Sequence, residues 1–143
     1  MWKEDLKDGE YAERVFADYL IRVGKHNVVH KALGDFKDYD LLGDLNTTYE
    51  VKSDRIARTT GNIAIEFQYH GEPSGIVITK ANYWVQRIAE KEFYVFLVRA
   101  LRDWLNIQRQ YLNTATSVEG ACVYLVRLDD VVGRPFCNVV LLG

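Results

Sequence analysis

Between residues 62 and 69 apolar and polar positions alternate without a break, Ile63, Ile65, Phe67 and Tyr69 on one side and Asn62, Ala64, Glu66 and Gln68 on the other. A period of two belongs to a strand with one buried face, so a half-buried strand is expected here, beside the hairpin that precedes it. Elsewhere the period lengthens. Ala12, Phe16, Tyr19, Leu20 and Val23 form a stripe at helical spacing, which predicts a helix over residues 8–23 with Gly24 as its stop. Ala81, Trp84, Val85, Ile88 and Ala89 recur in the same way behind Thr79, a suitable N-cap, and predict a helix over 79–91. Leu101, Trp104, Leu105, Tyr111 and Leu112 outline another. Continuous apolar runs at 93–98 and 121–126 read as buried strands. A first strand is expected from His26, a catalytic-type strand over 49–53 after the turn Gly43–Asn46, and an edge strand or dimer contact over 136–142. Residues 54–61 and 113–120 read as loops. The order describes an α/β chain with a central mixed sheet flanked by helices.

Composition narrows the setting. A chain of 143 residues, 48% of them hydrophobic, suits one domain over residues 1–143 with a core of its own. No apolar run approaches the roughly 20 residues of a membrane span, and the opening residues lack a signal peptide's apolar segment. An intracellular, cytoplasmic protein that is not secreted and has no membrane partner is expected. Cys122 and Cys137 stand alone among apolar residues, away from zinc-ligand spacing. The net charge of −2 weighs against nucleic acid, but while acidic residues concentrate in the first half, basic residues recur at Arg55, Arg58, Lys80, Arg87 and Lys91 and leave room for a local basic rim.

The candidate chemistry lies in Tyr49-Glu50-Val51-Lys52-Ser53. On a strand, Glu50 and Lys52 project from one face. A hairpin around Gly43 would bring Asp40 beside Glu50, although Asp38 competes for the same role. Mg²⁺, or Mn²⁺, is commonly held by one or two carboxylates plus substrate oxygens, with several waters retained. Asp40 and Glu50 supply the carboxylates, the Val51 backbone carbonyl a neutral ligand, and the Lys52 ammonium offsets charge that develops at phosphorus.

An Asp on one strand and Glu-X-Lys on the next resembles the signature of the PD-(D/E)XK nuclease superfamily, with Tyr39 at the proline position. Gly9, Glu13, Phe16, Leu20 and Gly24, followed by Glu50-Val51-Lys52-Ser53, are similar to the archaeal Holliday-junction resolvase branch of that superfamily. The resemblance covers roughly the first half of the chain. It implies a restriction-endonuclease-like αβββαβ core and metal-dependent hydrolysis of branched or structured DNA leaving a 5′-phosphate. It also implies Glu13 as a third acid at the metal and a two-fold homodimer, because a junction resolvase cuts two strands related by symmetry.

Around that centre, Arg55 and Arg58 are placed to grip a nucleic-acid backbone after Ser53, and Thr79 with Lys80 to hold a phosphate at a helix start. Glu10 and Glu66 are secondary acids, His26 and His30 surface histidines, and Tyr83 a stacking or structural aromatic. Two other readings remain open. One is a duplex DNA or RNA nuclease of the same superfamily, and the other a non-catalytic nucleic-acid-binding module on the same fold.

Overall fold

A computed structural model describes residues 3–32, 39–54 and 56–142. Asp38 and Arg55 lie outside the described residues. The chain begins with helix α1 (Lys3–Arg22), longer at its start than the stripe alone required. Its end follows from Gly24, at φ 75°, which lets Lys25 N–H reach the Leu20 carbonyl at 2.9 Å and Gly24 N–H the Ile21 carbonyl at 3.0 Å.

Three strands follow, β1 (His30–Lys31), β2 (Leu41–Leu42) and β3 (Thr48–Ser53). The single turn α2 (Ala57–Thr60) leads to β4 (Asn62–Tyr69) and β5 (Glu72–Pro73). Then come β6 (Tyr83–Ala89), β7 (Glu92–Leu97) and helix α3 (Val98–Gln108). The chain closes with β8 (Asn113–Thr116), β9 (Ala121–Arg127), the short helix α4 (Leu128–Val131) and β10 (Cys137–Leu141).

The strands form two sheets. The larger runs β1-β2-β3-β6-β7-β10 and is mixed, since β3 and β6 are parallel and the other neighbours antiparallel. The smaller, β5-β4-β9-β8, is antiparallel throughout. On one face of the large sheet, Ala12, Phe16 and Leu20 of α1 pack on Leu41, Tyr49, Val51, Val85, Phe93 and Val140. On the other, Trp84, Ile88, Tyr94 and Phe96 meet Ile63, Ile65 and Val126 of the small sheet and Leu101 and Leu105 of α3. The result is a mixed α/β protein in three layers. Among the described residues no helix is long and apolar enough to cross a membrane.

The helix expected over 79–91 is instead β6 and the turn into β7. Trp84, Gln86 and Ile88 face the small sheet while Val85 faces α1, and all four are buried. A central strand covered on both sides shows apolar residues at nearly every step, and such a run also satisfies helical spacing. Neighbours were misjudged as well. The strand at 62–69 stands as expected, but it pairs with β9 and β5 in the second sheet rather than beside the β2–β3 hairpin, because alternation reveals a buried face and not a partner. Residues 113–116, expected in a loop, form the fully exposed edge strand β8. The strand expected from His26 is described only over His30–Lys31.

Candidate active site

The β2–β3 hairpin sets the geometry. Leu41 pairs with Tyr49 and Leu42 with Thr48, and the Asp40 N–H just before them donates to the Tyr49 carbonyl at 2.9 Å. Tyr49 and Val51 pack toward α1, so Glu50 and Lys52 face the other way, toward the small sheet. Asp40 precedes β2 at the edge of β3.

Asp40 is buried, and its Oδ2 accepts a 2.7 Å hydrogen bond from the Val51 N–H. This bond replaces a ladder partner where β2 has ended. In an extended strand a residue's N–H and C=O face the same edge, so the Val51 carbonyl also emerges on the Asp40 side. Glu50 is largely covered. Lys52 Nζ lies 3.6 Å from its Oε2, and the Thr79 hydroxyl 3.5 Å from its Oε1. Thr79, expected to cap a helix, instead accepts the Ala81 N–H at 3.2 Å and lies beside Glu50. Lys80 is exposed in the adjoining segment, and its helix-start role lapses with the helix.

Beneath Lys52 lies a polar network that sequence reasoning missed. The Lys52 ammonium stands 5.7 Å from the centre of the Trp84 ring. Trp84 Nε1 donates to Gln86 Oε1 at 2.9 Å, and Gln86 Nε2 donates to Asp54 Oδ2 at 3.0 Å and to the Ala64 carbonyl at 2.9 Å. Asp54 Oδ2 also accepts the Ala64 N–H at 2.9 Å. Lys52, Asp54, Glu66, Trp84 and Gln86 thus line a cleft of about 330 Å³ between the sheets. Glu66 accepts from the Ser74 hydroxyl at 2.9 Å. The signal for Asp54 was its place two residues past Lys52, which extends the Glu50–Lys52 alternation by one step.

Other expected residues go elsewhere. Glu13 lies on α1, 3.3 Å from Lys31 Nζ, and with Glu10 lines a separate groove of about 740 Å³ between α1 and the β1–β2 edge. Lys31 pairs with Leu41 and so belongs to the α1 face, opposite Glu50 and Lys52. Among the described residues no three His, Cys, Asp or Glu side chains are grouped to hold a metal, so Glu13 does not complete a three-acid cluster with Asp40 and Glu50. Ser53 lines both the Lys52 cleft and a small cleft with Asp8 and Arg87, and Arg58 on α2 pairs with Glu92 at 3.2 Å. His26 is buried rather than a surface residue: its Nε2 lies 2.8 Å from the Tyr49 hydroxyl and its Nδ1 accepts the Asp44 N–H. Tyr83 stacks on Tyr49 at 5.2 Å. Burial pushes the Cys137 thiol up to about 11, which keeps it from thiolate chemistry near neutral pH.

The donor set, two carboxylates and one backbone carbonyl, fits a hard cation that keeps several waters and does not fit a four-ligand zinc site. No family model matches the chain, and no curated protein matches it significantly.

Proposed function

We propose that this chain is a divalent-metal-dependent endonuclease that hydrolyses phosphodiester bonds in branched or otherwise structured DNA. The observation that carries the reading is the Asp40 carboxylate on the Val51 N–H, at the residue between Glu50 and Lys52, whose side chains lie 3.6 Å apart. The order of helix, three antiparallel strands and a further strand parallel to the third supports a restriction-endonuclease-like core. Where that core would carry a crossover helix, this chain runs through α2, β4 and β5.

In this reading Asp40, Glu50 and the Val51 carbonyl hold Mg²⁺ or Mn²⁺, which when bound supplies Lewis acidity and a lowered water pKa. Lys52, held over Trp84 and against Glu50, offsets charge on the non-bridging oxygens and orients the attacking water. Thr79 fixes the Glu50 carboxylate from its other oxygen. Lys80, exposed beside Thr79, supplies a backbone contact without reading sequence. Symmetric cutting of a junction implies a two-fold homodimer.

A second reading, a non-catalytic DNA clamp, draws on the pairing of Glu13 with Lys31, which belongs to the sheet face opposite Glu50 and Lys52. The two separate on labelled four-way junction, flap, duplex and single-stranded DNA incubated with Mg²⁺, Mn²⁺ or EDTA. Metal-dependent cutting of the branched forms supports the nuclease. Binding of these DNAs without cutting in either metal supports the clamp.

A further inference from the structure

Hydrogen-bond accounting at Tyr49 leads to a site on the opposite face of β3. Tyr49 is 2% exposed, and its hydroxyl lies 2.8 Å from His26 Nε2. The Asp44 N–H donates to His26 Nδ1 at 3.0 Å, so Nδ1 carries the lone pair and Nε2 the hydrogen. Nε2–H therefore donates, the Tyr49 oxygen accepts, and the phenol's own hydrogen needs a different partner. Among the described residues none accepts it. Buried donors are ordinarily paired, and this one stands in the wall of a groove.

The groove, about 360 Å³, runs between the second half of α1 and the strands β3, β6, β7 and β10. Its walls are mostly carbon, from Phe16, Leu20, Val95 and Phe136 with the rings of Tyr49 and Tyr83. Tyr19 and Asn138 also line it. The volume falls within the range of small-molecule sites, roughly 300–1,000 Å³, which join apolar walls to a few placed polar groups. Lys25, next in the chain to His26, lines the same groove and is exposed at its rim.

We propose that this groove binds a small flat aromatic acid, its ring between the aromatic walls, one carboxylate oxygen accepting the Tyr49 O–H and its charge met by Lys25. Flatness follows from Phe16, Tyr83 and Phe136, and the acceptor from the unmatched phenol hydrogen. The acid follows from a cation at the rim with no ion-pair partner among the described residues. The site uses none of the residues of the nuclease reading and stands or falls apart from it.

The test is titration of the full chain with 2-naphthoate, followed by backbone amide shifts. Saturable shifts are expected at Lys25, Tyr49, Tyr83 and Phe136. Tyr49→Phe, which removes one oxygen, should weaken binding about tenfold, the weight of one buried hydrogen bond. Val95→Trp, which fills the groove and leaves the Tyr49–His26 pair in place, should abolish it and decides the matter if Tyr49→Phe does not fold. The absence of saturable binding, shifts centred elsewhere, or undiminished binding by either folded variant would overturn the proposal.

Discussion

Trp84 donates its indole N–H to Gln86 Oε1 at 2.9 Å while its ring face lies 5.7 Å beneath the Lys52 ammonium. One buried amide thus fixes the plane on which a candidate catalytic lysine rests. Gln86→Leu would leave the indole donor and the Asp54 acceptor each short of a partner, and is expected to destabilise the chain by about 2 kcal/mol in urea unfolding. In proton NMR the Trp84 indole resonance should move upfield, and the Lys52 side-chain protons should lose their ring-current shift. An unchanged indole resonance would show that Gln86 does not hold the ring.

Asp54 accepts from both the Ala64 N–H and Gln86 Nε2 and so ties the end of β3 to β4 and β6. Asp54→Ala leaves two donors without that oxygen and should destabilise by about 2–3 kcal/mol. Asp54→Asn keeps an acceptor and should lose less than half as much. Equal losses in denaturant titrations would argue that charge, not hydrogen bonding, matters there.

Gly43 is required by the His26 ring, since a β-carbon there would meet His26 Cδ2 at 2.5 Å. Gly43→Ala should destabilise by about 1–3 kcal/mol through overpacking. Combined with His26→Ala, which removes the ring, it should add little, with a coupling of about 1 kcal/mol or more. Strict additivity would contradict the contact.

Burial first, then the neighbouring Tyr83 and Tyr19, push the Tyr49 phenol from 10.0 up to about 12. The folded chain therefore keeps a proton that the unfolded chain releases between pH 10 and 12. Stability supplied by the neutral, buried phenol is full below pH 10 and is lost as pH rises to 12, by on the order of 2 kcal/mol. Unfolding free energies across that window should fall more steeply for wild type than for Tyr49→Phe.

Elements with one buried face were legible in the sequence. The α1 stripe and the alternation of β4 each admit one period, and both elements formed. β6 was not legible, because Trp84, Val85 and Ile88 are buried on two faces and fit a helix equally well. The site divides along the same line. Asp40, Glu50 and Lys52 depend on a short hairpin and local alternation, which set the Asp40 carboxylate on the Val51 N–H and Lys52 3.6 Å from Glu50. Glu13 depends on how α1 lies over the β1–β2 edge, a tertiary matter, and it is found with Lys31. Gln86 was hidden inside the misread helix, and Asp54 was assigned to a loop although its carboxylate is engaged by neighbours on two strands.

The central claim is that Asp40 and Glu50 hold a divalent ion beside Lys52 for phosphodiester hydrolysis. Cleavage of a labelled four-way junction by wild type, Glu50→Ala and Lys52→Ala, with Mg²⁺ and with EDTA, tests it most directly. Mg²⁺-dependent cutting by wild type is expected, abolished by EDTA and reduced at least about 100-fold by either substitution, the scale of losing one transition-state charge contact. Cutting that survives both substitutions, or wild type that binds the junction and leaves it whole in Mg²⁺ and Mn²⁺, would contradict it.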